Sequence, residues 1–309
     1  MEDNLIILVT GSSGFVGEVL IPKLQSLGYE VIGIDHSSGQ YTTKNIDISK
    51  PFTIEQKIDA VVHLAAKLVH HRSSYNEYYQ TNADGTKNVL DVALKNNAFF
   101  VYVSTNAVYG SPESPMTENT KIAPRDGYAK TKLVGEKICK EYESKGLEIA
   151  IVRPSVLIGK KRLGLYTTIF KNLYNNSPVR ILGNGENRIS FVNIDDLCDF
   201  LIFLVEKKIS KVTVNFGGKI PGTLNSMLEE LKNYTKSKSK IQHISIKYLG
   251  ILKILSRLKI IPITDWQLSV MYKDFYSDDK LLSSIGYNYK YEPIDALKDM
   301  ADYYKSHLM

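Results

Sequence analysis

Tyr128 and Lys132 stand four residues apart, and Thr105 precedes Tyr128 by 23 residues. Positions i and i+4 share one face of a helix, so the tyrosine and lysine side chains point the same way. A tyrosine beside an ammonium group can take a proton from an alcohol, and a threonine hydroxyl can stabilise the charge that develops on the alcohol oxygen. The Tyr-x-x-x-Lys spacing occurs twice more, after residue 230. Only the pair at 128 and 132 follows a predicted strand that ends in hydroxyl side chains, so position identifies it as the candidate catalytic pair.

The elements that must position these side chains alternate between strands and helices. Apolar runs predict strands at 5–10, 30–35, 60–64, 99–104, 148–153 and 212–216, and helices are predicted near 14–27, 76–96 and 130–145. Such alternation with short links indicates an α/β fold, a doubly wound parallel sheet that binds its ligand off the carboxyl ends of the strands. The predicted catalytic residues follow such strand ends.

A glycine turn, Gly11, Gly14 and Gly17, lies between the first strand and the first helix. Glycines let the backbone approach a phosphate, and the helix N-terminus supplies free N–H groups and a positive dipole end. Asp35 ends the second strand, 24 residues past Gly11. A carboxylate there can accept from both ribose hydroxyls and repel a 2′-phosphate, which indicates NAD rather than NADP. The alternative is that Asp35 only caps the turn that begins near Ser37.

A tyrosine can act as a base at neutral pH only if its pKa, near 10 in free solution, falls. We expect the Lys132 ammonium and the positive nicotinamide ring of NAD to lower the pKa of Tyr128 by about three units. A shift of that size corresponds to roughly 4 kcal/mol at ~1.36 kcal/mol per unit.

The composition describes an ordinary globular protein of 309 residues with a formal charge of +6. We interpret this charge as spread along the chain, which suits an anionic small substrate and predicts no nucleic-acid partner. Cys139 and Cys198 lie in no Cys or Cys/His cluster, so we expect reduced core thiols, no metal and a cytoplasmic protein. The first strand begins within about five residues and no apolar run reaches the ~20 residues of a membrane span, so neither a signal peptide nor a span is expected.

The basic amphipathic segment 248–263 allows two interpretations. It could lie on a membrane surface, but such helices in large domains more often pack on the core, and we expect packing. His63 stands alone between apolar residues, so we interpret it as a partnered core histidine. Asn82, at the start of a long predicted helix, could cap that helix or hold a loop against the active site.

The motifs together resemble the extended short-chain dehydrogenase/reductase family, in its NAD-dependent nucleotide-sugar epimerase/dehydratase branch. The resemblance rests on 10–17, Asp35, Asp47, Ile48, 63–66, Asn82, Ser104, Thr105, Tyr128, Lys132, Arg153 and Pro154. It implies a Rossmann sheet of about seven strands in a domain at 1–154, rejoined by about 188–217. A smaller interleaved lobe at 155–187 and 218–309 would bind the substrate.

The resemblance also implies roles for individual residues. Thr105, Tyr128 and Lys132 would form the catalytic trio. The NAD-binding residues would be Gly11, Gly14, Phe15, Val16, Asp35, Asp47, Ile48, Leu64, Ala65, Ala66, Asn82, Ser104, Tyr128 and Lys132.

In the second half, the stretch 183–197 resembles the family segment whose arginine binds the substrate pyrophosphate. That arginine is Arg188 here, and its planar fork can meet two phosphate oxygens at once. The alternative is a surface arginine in a turn. A strand that rejoins the sheet should follow it. Thr105, Asn106 and Arg188 are thus the expected substrate-binding residues, and the stretch 278–293 resembles the C-terminal segment of the family.

Two departures from the family narrow the expected reaction. Asn106 and Ala107 stand where the 4,6-dehydratases carry an Asp-Glu pair, which argues against dehydration. Val156 stands where the best-known UDP-galactose 4-epimerases carry asparagine. We expect an NAD-dependent 4-epimerase of a nucleotide-activated sugar in polysaccharide biosynthesis, acting through a transient 4-keto intermediate. The alternatives are a reductase of a nucleotide-linked 4-keto-6-deoxy sugar and a non-catalytic NAD-sensing regulator, and family analogy suggests a homodimer through the helices at 76–96 and 130–145.

Overall fold

The computed structural model describes residues 5–68, 73–164, 166–219, 222–258, 260, 268 and 270–309. Its strands in chain order are β1 (Ile6–Thr10), β2 (Glu30–Asp35), β3 (Lys44–Asn45), β4 (Ala60–His63), β5 (Phe99–Val103), β6 (Ile149–Pro154), β7 (Val156–Ile158), β8 (Val179–Leu182), β9 (Phe191–Asn193), β10 (Val212–Phe216) and β11 (Ile241–Ile244).

The α-helices are α1 (Gly17–Ser26), α2 (Tyr75–Tyr79), α3 (Gly85–Asn96), α4 (Gly127–Ser144), α5 (Tyr166–Tyr174), α6 (Ile194–Lys207), α7 (Leu224–Tyr234), α8 (Leu249–Arg257), α9 (Lys280–Ser284) and α10 (Pro293–Leu308). A π-helical turn at Gln80–Asp84 joins α2 to α3, so the long predicted helix is continuous but wider at this turn. Short 3₁₀ helices occur at Asn106–Tyr109 and Ile246–Tyr248.

The central sheet has seven parallel strands in the order β10-β6-β5-β4-β1-β2-β3. This arrangement confirms the predicted Rossmann sheet, and the two-residue strand β3 is the member that hydrophobic patterning misses. The chain order reverses between β1 and β4, and a crevice for ligands opens at such a reversal.

Helices cover both faces of the sheet because its strands are apolar on both sides. On one face, Ile7 and Val9 of β1 pack with α1 and α6. On the other face, Leu8 packs with apolar residues of α3 and α4, including Cys139. All three strand residues are fully buried, as the continuous apolar run of a parallel strand requires.

A second core joins the C-terminal elements. Apolar residues of α5, α7 and α10 pack around Phe170 and Met300, both fully buried. Strand β8 pairs in parallel with β11 and forms a separate two-stranded sheet. One prediction was wrong here: the strand that follows Arg188, β9, pairs with β7 in its own small sheet, and the central sheet is rejoined only by β10. The proposed domain boundaries stay a prediction.

The segment 248–263 also departs from expectation in its described part. Residues 259 and 261–263 lie outside the described ranges, but α8 and its flanks present several large apolar side chains to solvent instead of burying them. The expectation that this amphipathic face packs on the core was therefore wrong. No helix within the described ranges combines the length and apolarity that crossing a bilayer requires.

Candidate active site

The glycine turn is held so tightly that larger residues would collide with neighbouring backbone. Gly11 has a φ of +75°, and a Cβ there would lie 2.8 Å from the backbone nitrogen of Ala65. A Cβ on Gly17 would lie 2.5 Å from the carbonyl oxygen of Gly11. The amide of Gly11 donates to the carbonyl of Ile34 at 2.8 Å, which fixes the turn against β2. Glycine at 11 and 17 is thus a steric requirement of this turn.

Asp35 lies at the end of β2 beside this turn and is 7% exposed. Its two carboxylate oxygens accept hydrogen bonds from the backbone N–H groups of Ser13 and Ser37, both at 3.1 Å. Burial raises the pKa of Asp35, but these hydrogen bonds and the nearby His36 outweigh burial, and the pKa falls below its ordinary value. Asp35 therefore caps the turn and is also ionised, ready to accept further hydrogen bonds from ribose hydroxyls.

The loop after β4 is anchored through Thr10. The Thr10 hydroxyl accepts from the backbone N–H of Ala65 at 3.1 Å and contacts His63 Nδ1 at 2.7 Å. His63 Nε2 lies 3.0 Å from the Thr86 hydroxyl. Burial, and then the charge of Lys132, lower the pKa of His63 well below its ordinary value. The prediction of a partnered core histidine is confirmed, and His63 positions the loop at 64–66.

Asn82 is fully buried in the π-helical turn, and it holds the same loop. Its Oδ1 accepts from the Lys67 amide at 2.7 Å, and its Nδ2 donates to the Lys67 carbonyl at 3.2 Å and the Thr131 hydroxyl at 3.1 Å. Of the two sequence interpretations, loop holding is confirmed. Because these bonds engage both ends of its amide, Asn82 would act on a cofactor through the loop.

Asp47 and Ile48 follow β3 on the other side of the crevice. Asp47 Oδ1 accepts from the Ser49 hydroxyl at 2.7 Å, and this bond is the largest cause of the lowered pKa of Asp47. Ile48 is buried beneath α3, where a Cβ on Gly85 would lie 2.9 Å from the Ile48 side chain. Asp47 is therefore a charged side chain at the surface, and Ile48 next to it is part of the apolar core.

Thr105 and Tyr128 come together from two different elements. Thr105 follows β5 by two residues in an extended conformation, and its hydroxyl accepts from the Ala107 amide at 3.2 Å. Asp126 caps α4 by accepting from the Ala129 amide at 2.8 Å, which places Tyr128 in the first turn of this helix. Thr105 lies close enough to the half-buried phenol of Tyr128 for its hydroxyl to lower the pKa of Tyr128.

The electrostatics of the pair differ from the sequence-based expectation. Burial raises the pKa of Tyr128 to about 12, while Arg162 and the Thr105 hydrogen bond lower it and Asp126 raises it. Burial also lowers the pKa of Lys132 to about 7. The Lys132 ammonium nitrogen lies 4.1 Å from the centre of the Tyr102 ring. The expectation that Lys132 lowers the tyrosine pKa was wrong for the chain's own residues, because desolvation dominates and the nearby cation is Arg162.

Arg162 is a residue that the sequence analysis missed. Its amide donates to the carbonyl of Gly159 at 2.9 Å, and this turn after β7 brings its guanidinium carbon 5.4 Å from the centre of the Phe15 ring. Burial lowers the pKa of Arg162, and the adjacent Tyr128 and Tyr166 raise it. The signal in the sequence is the basic triplet 160–162 directly after a strand and a glycine.

A buried polar network lies at the carboxyl end of β5. Glu136, one helical turn after Lys132, accepts from the Ser104 hydroxyl at 2.5 Å and from Arg153 at 2.6 and 2.9 Å. Arg153 also donates to the Tyr109 hydroxyl at 2.7 Å. The bidentate ion pair is 6% exposed on each side chain. Arg153 therefore neutralises the buried Glu136, and the Ser104 hydroxyl is used in a structural hydrogen bond to the same carboxylate.

The predicted substrate residues Asn106 and Arg188 are linked by one extended segment, Phe275–Ser277. Asn106 is buried and donates to the Ser277 hydroxyl at 2.9 Å. The Arg188 side chain is 44% exposed, its guanidinium carbon lies 4.8 Å from the centre of the Tyr276 ring, and it pairs with Asp274 at 3.5 Å. This segment therefore supports both residues, while Arg188 keeps its guanidinium accessible to an anion.

The residues around the crevice fit a dinucleotide. The ionised Asp35, the close-packed turn at Gly11 and the small residues Ala65 and Ala66 follow the carboxyl ends of β2, β1 and β4, where the strand order reverses. This is the arrangement that accommodates a pyrophosphate and an adenosine ribose.

Comparison with known proteins identifies the class. The model of the NAD dependent epimerase/dehydratase family matches residues 7–217, more than half of the chain. The chain therefore belongs to this family. It is an NAD-dependent enzyme of the short-chain dehydrogenase/reductase type, as the sequence motifs indicated.

Two characterised relatives represent different reactions. A UDP-glucuronate 4-epimerase from Thermodesulfobacterium geofontis is 29% identical over 273 residues, which cover 77% of this chain and 83% of the relative. A UDP-N-acetyl-alpha-D-glucosaminuronate decarboxylase from Bacillus cytotoxicus is 28% identical over 269 residues, 77% of this chain and 82% of the relative.

A solved structure extends the similarity over nearly the whole chain. UDP-glucuronic acid 4-epimerase from Bacillus cereus, in complex with UDP-glucuronic acid and NAD, matches with a TM-score of 0.75 and 25% identity. The alignment covers 98% of this chain and 99% of that epimerase.

Proposed function

We propose that this enzyme is a 4-epimerase of a UDP-activated sugar and acts through a transient 4-keto intermediate. The observation that carries the proposal is the Thr105–Tyr128 pair at the carboxyl end of β5, beside a crevice that fits NAD. The relatives that interconvert or decarboxylate UDP-linked uronic acids support a chemistry that begins at C4.

In this proposal Tyr128 removes the proton of the substrate 4-hydroxyl and later returns it. Thr105 holds the same oxygen and, as a donor to the phenolate, makes Tyr128 easier to ionise. NAD, when bound, would supply the two-electron acceptor and donor for the hydride of C4. Lys132, one turn further along α4, completes the proposed catalytic trio, while Arg162 is the cation that lowers the pKa of Tyr128 in the described chain.

NAD would be held by the backbone of the turn at Gly11–Gly17, by Asp35 and by the loop at 64–66. The glycine turn would receive the pyrophosphate at the N-terminus of α1, and ionised Asp35 would accept from the adenosine ribose. Asn82 would keep the loop at 64–66 in place through its bonds to Lys67 and Thr131.

Two arginines support an anionic substrate. Arg188, with its guanidinium accessible above Tyr276, would bind the UDP pyrophosphate. Arg162 places a second guanidinium beside Tyr128, which favours a sugar that is itself charged near C4, such as a hexuronic acid. A dehydratase is disfavoured because positions 106 and 107 carry no acid and Asn106 is bonded to Ser277.

The test is a panel of UDP, dTDP and GDP sugars that includes UDP-glucuronic acid and UDP-glucose. Thermal protection identifies the ligand, because a bound ligand stabilises the fold in proportion to its affinity. NMR of the product then identifies the reaction. Interconversion of C4 epimers without added NAD supports the proposal. Consumption of NADH with a 4-keto sugar would instead identify a reductase, and release of CO₂ a decarboxylase.

The homodimer and the cytoplasmic location belong to the same proposal. Tyr75 and Tyr79 are exposed on α2 with ring centres 6.1 Å apart, and Leu94 is exposed on α3. Such apolar groups are suited to pairing with a second copy. Sedimentation equilibrium should give a dimer that Tyr79→Glu dissociates. Cys139 and Cys198 are free and buried, which is consistent with a reducing compartment.

A further inference from the structure

The described chain exposes an unusual concentration of large apolar side chains in one place. Of fifteen such exposed side chains, six lie between residues 246 and 260. These six, the apolar patch, are each 54–64% exposed and comprise Ile246, Tyr248, Ile251, Ile254, Leu258 and Ile260. Contiguous exposed apolar surface of this kind marks an interaction site.

The patch is organised by helix α8. Ile251, Ile254 and Leu258 follow an i, i+3, i+7 spacing and therefore lie on one face. Ser256, on the opposite side of the helix, is 8% exposed. The helix is thus packed through its Ser256 side and carries its apolar face outward, so the exposure is a property of its orientation.

The charge around the patch has one sign. Between residues 231 and 264 the sequence contains eight Lys or Arg residues and no Asp or Glu. Removing these eight from the 39 basic side chains leaves 31 against 33 acidic ones, so this stretch supplies the entire net positive charge. The interpretation that the charge is spread along the chain was therefore wrong. Exposed Lys247 lies between two patch residues, Ile246 and Tyr248, and therefore places a cation within the patch.

We propose that the apolar patch docks the protein onto an anionic lipid bilayer. An amphipathic helix whose apolar side chains are flanked by cations lies in the membrane interface, where burial of apolar surface and attraction to anionic headgroups act together. A second copy of the same patch would bring like charges together, which opposes self-association. Charge complementarity therefore selects the bilayer as the occupant.

The patch adjoins the substrate side of the crevice. Strand β11 leads directly into the 3₁₀ turn at Ile246, and the Gly183 amide donates to the Ile244 carbonyl at 2.9 Å. A Cβ on Gly183 would lie 3.7 Å from the Ile246 side chain. Five residues after Gly183 stands Arg188. Docking would therefore hold the Arg188 side of the enzyme close to the lipid headgroups.

The experiment uses the full-length protein and unilamellar vesicles of phosphatidylcholine with or without phosphatidylglycerol. Flotation should show binding to the anionic vesicles, about tenfold weaker binding to neutral ones, and release in about 1 M salt, where the screening length is about 3 Å. Ile251→Ser/Ile254→Ser and Lys247→Glu should each weaken binding by about tenfold, the first through apolar burial and the second through charge.

Leu27→Ser is the matched control, because Leu27 is equally exposed, at 55%, on another part of the surface. It should leave vesicle binding unchanged. NAD retention and thermal midpoints show that each variant is folded, since the replaced side chains face solvent. The proposal is overturned if the wild type ignores anionic vesicles, if the Ile251→Ser/Ile254→Ser variant binds as well as wild type, or if that variant only dissociates an oligomer of the protein.

Discussion

The two halves of the molecule use their polar groups differently. In the sheet half, the residues around the crevice are bonded to each other at short range: Thr10 to His63, Asn82 to Lys67, and Glu136 to Arg153. In the C-terminal lobe, the guanidinium of the candidate substrate residue Arg188 contacts a ring and makes a long ion pair, and α8 leaves its apolar face in solvent. The difference indicates that the polar groups on the cofactor side are fixed by hydrogen bonds to one another, whereas the lobe on the substrate side presents accessible side chains.

The largest expected effect comes from one oxygen in the sheet half. Tyr128→Phe should keep NAD bound and lower kcat by about 10³-fold, because it removes the proton acceptor without disturbing the ring. The matched control is Tyr234→Phe in the lobe, which also precedes a lysine by four residues but bonds an exposed Asp302. That variant should keep kcat. Steady-state assays and NAD stoichiometry measure both, and equal losses in the two variants would remove Tyr128 from the mechanism.

Replacing one glycine in the sheet half and one in the lobe by alanine tests how tightly each half is packed. Gly11→Ala combines a left-handed φ with a Cβ 2.8 Å from backbone, so we expect a loss of about 3 kcal/mol in the free energy of unfolding and loss of bound NAD. Gly183 has a φ of +87°, but a Cβ there would meet nothing closer than the Tyr272 side chain at 3.2 Å. Gly183→Ala should cost about 1 kcal/mol and retain NAD. Urea denaturation measures both, and equal costs would contradict the difference in packing.

Lys132 provides a pH test of burial in the sheet half. Its pKa is about 7 in the fold and 10.5 in the ordinary state, so the unfolded chain binds the additional proton between these values. The free energy of unfolding of the wild type should therefore rise with pH in this window relative to Lys132→Met, by about 2 kcal/mol from pH 7 to pH 9. Below about pH 6, where Lys132 is protonated in both the folded and the unfolded state, the difference between the two proteins should be constant. If the urea midpoints of the wild type and of Lys132→Met change in parallel from pH 7 to 9, Lys132 is not a buried base.

The smallest expected effects separate the two arginines. Arg162→Gln removes the cation that lowers the pKa of Tyr128, so it should reduce kcat by about tenfold, about 1.4 kcal/mol. Arg188→Gln should raise KM by about tenfold and leave kcat nearly unchanged, since Arg188 contacts the lobe rather than Tyr128. If both variants changed only KM, Arg162 would be a binding residue and the assignment of its electrostatic role would be wrong.

How much could be predicted from the sequence follows the same division. The sheet, the glycine turn and Asp35 were predictable because local spacing and strand ends determine them. Asn82 could be read in two ways, since its partners Lys67 and Thr131 are distant in sequence. The pKa shift of Tyr128 could not be predicted, because it depends on burial and on Arg162, which only the folded chain brings near.

The lobe was less predictable for a physical reason. An amphipathic pattern such as that of α8 states which residues share a face but not whether that face meets the core or solvent. The pairing of β9 with β7 is likewise a tertiary choice that a short apolar run does not encode. The two-residue strand β3 is too short to leave a hydrophobic pattern.

The central claim is that hydrogen leaves and returns to the same C4 while Tyr128 exchanges only a proton. Incubation with UDP-glucuronic acid deuterated at C4, followed by NMR and mass spectrometry of the product, tests it most directly. The account predicts the C4 epimer with deuterium still at C4 and no requirement for added NAD, and no conversion by Tyr128→Phe. An epimer that has lost the deuterium to solvent, or a product one carboxylate smaller, would contradict it.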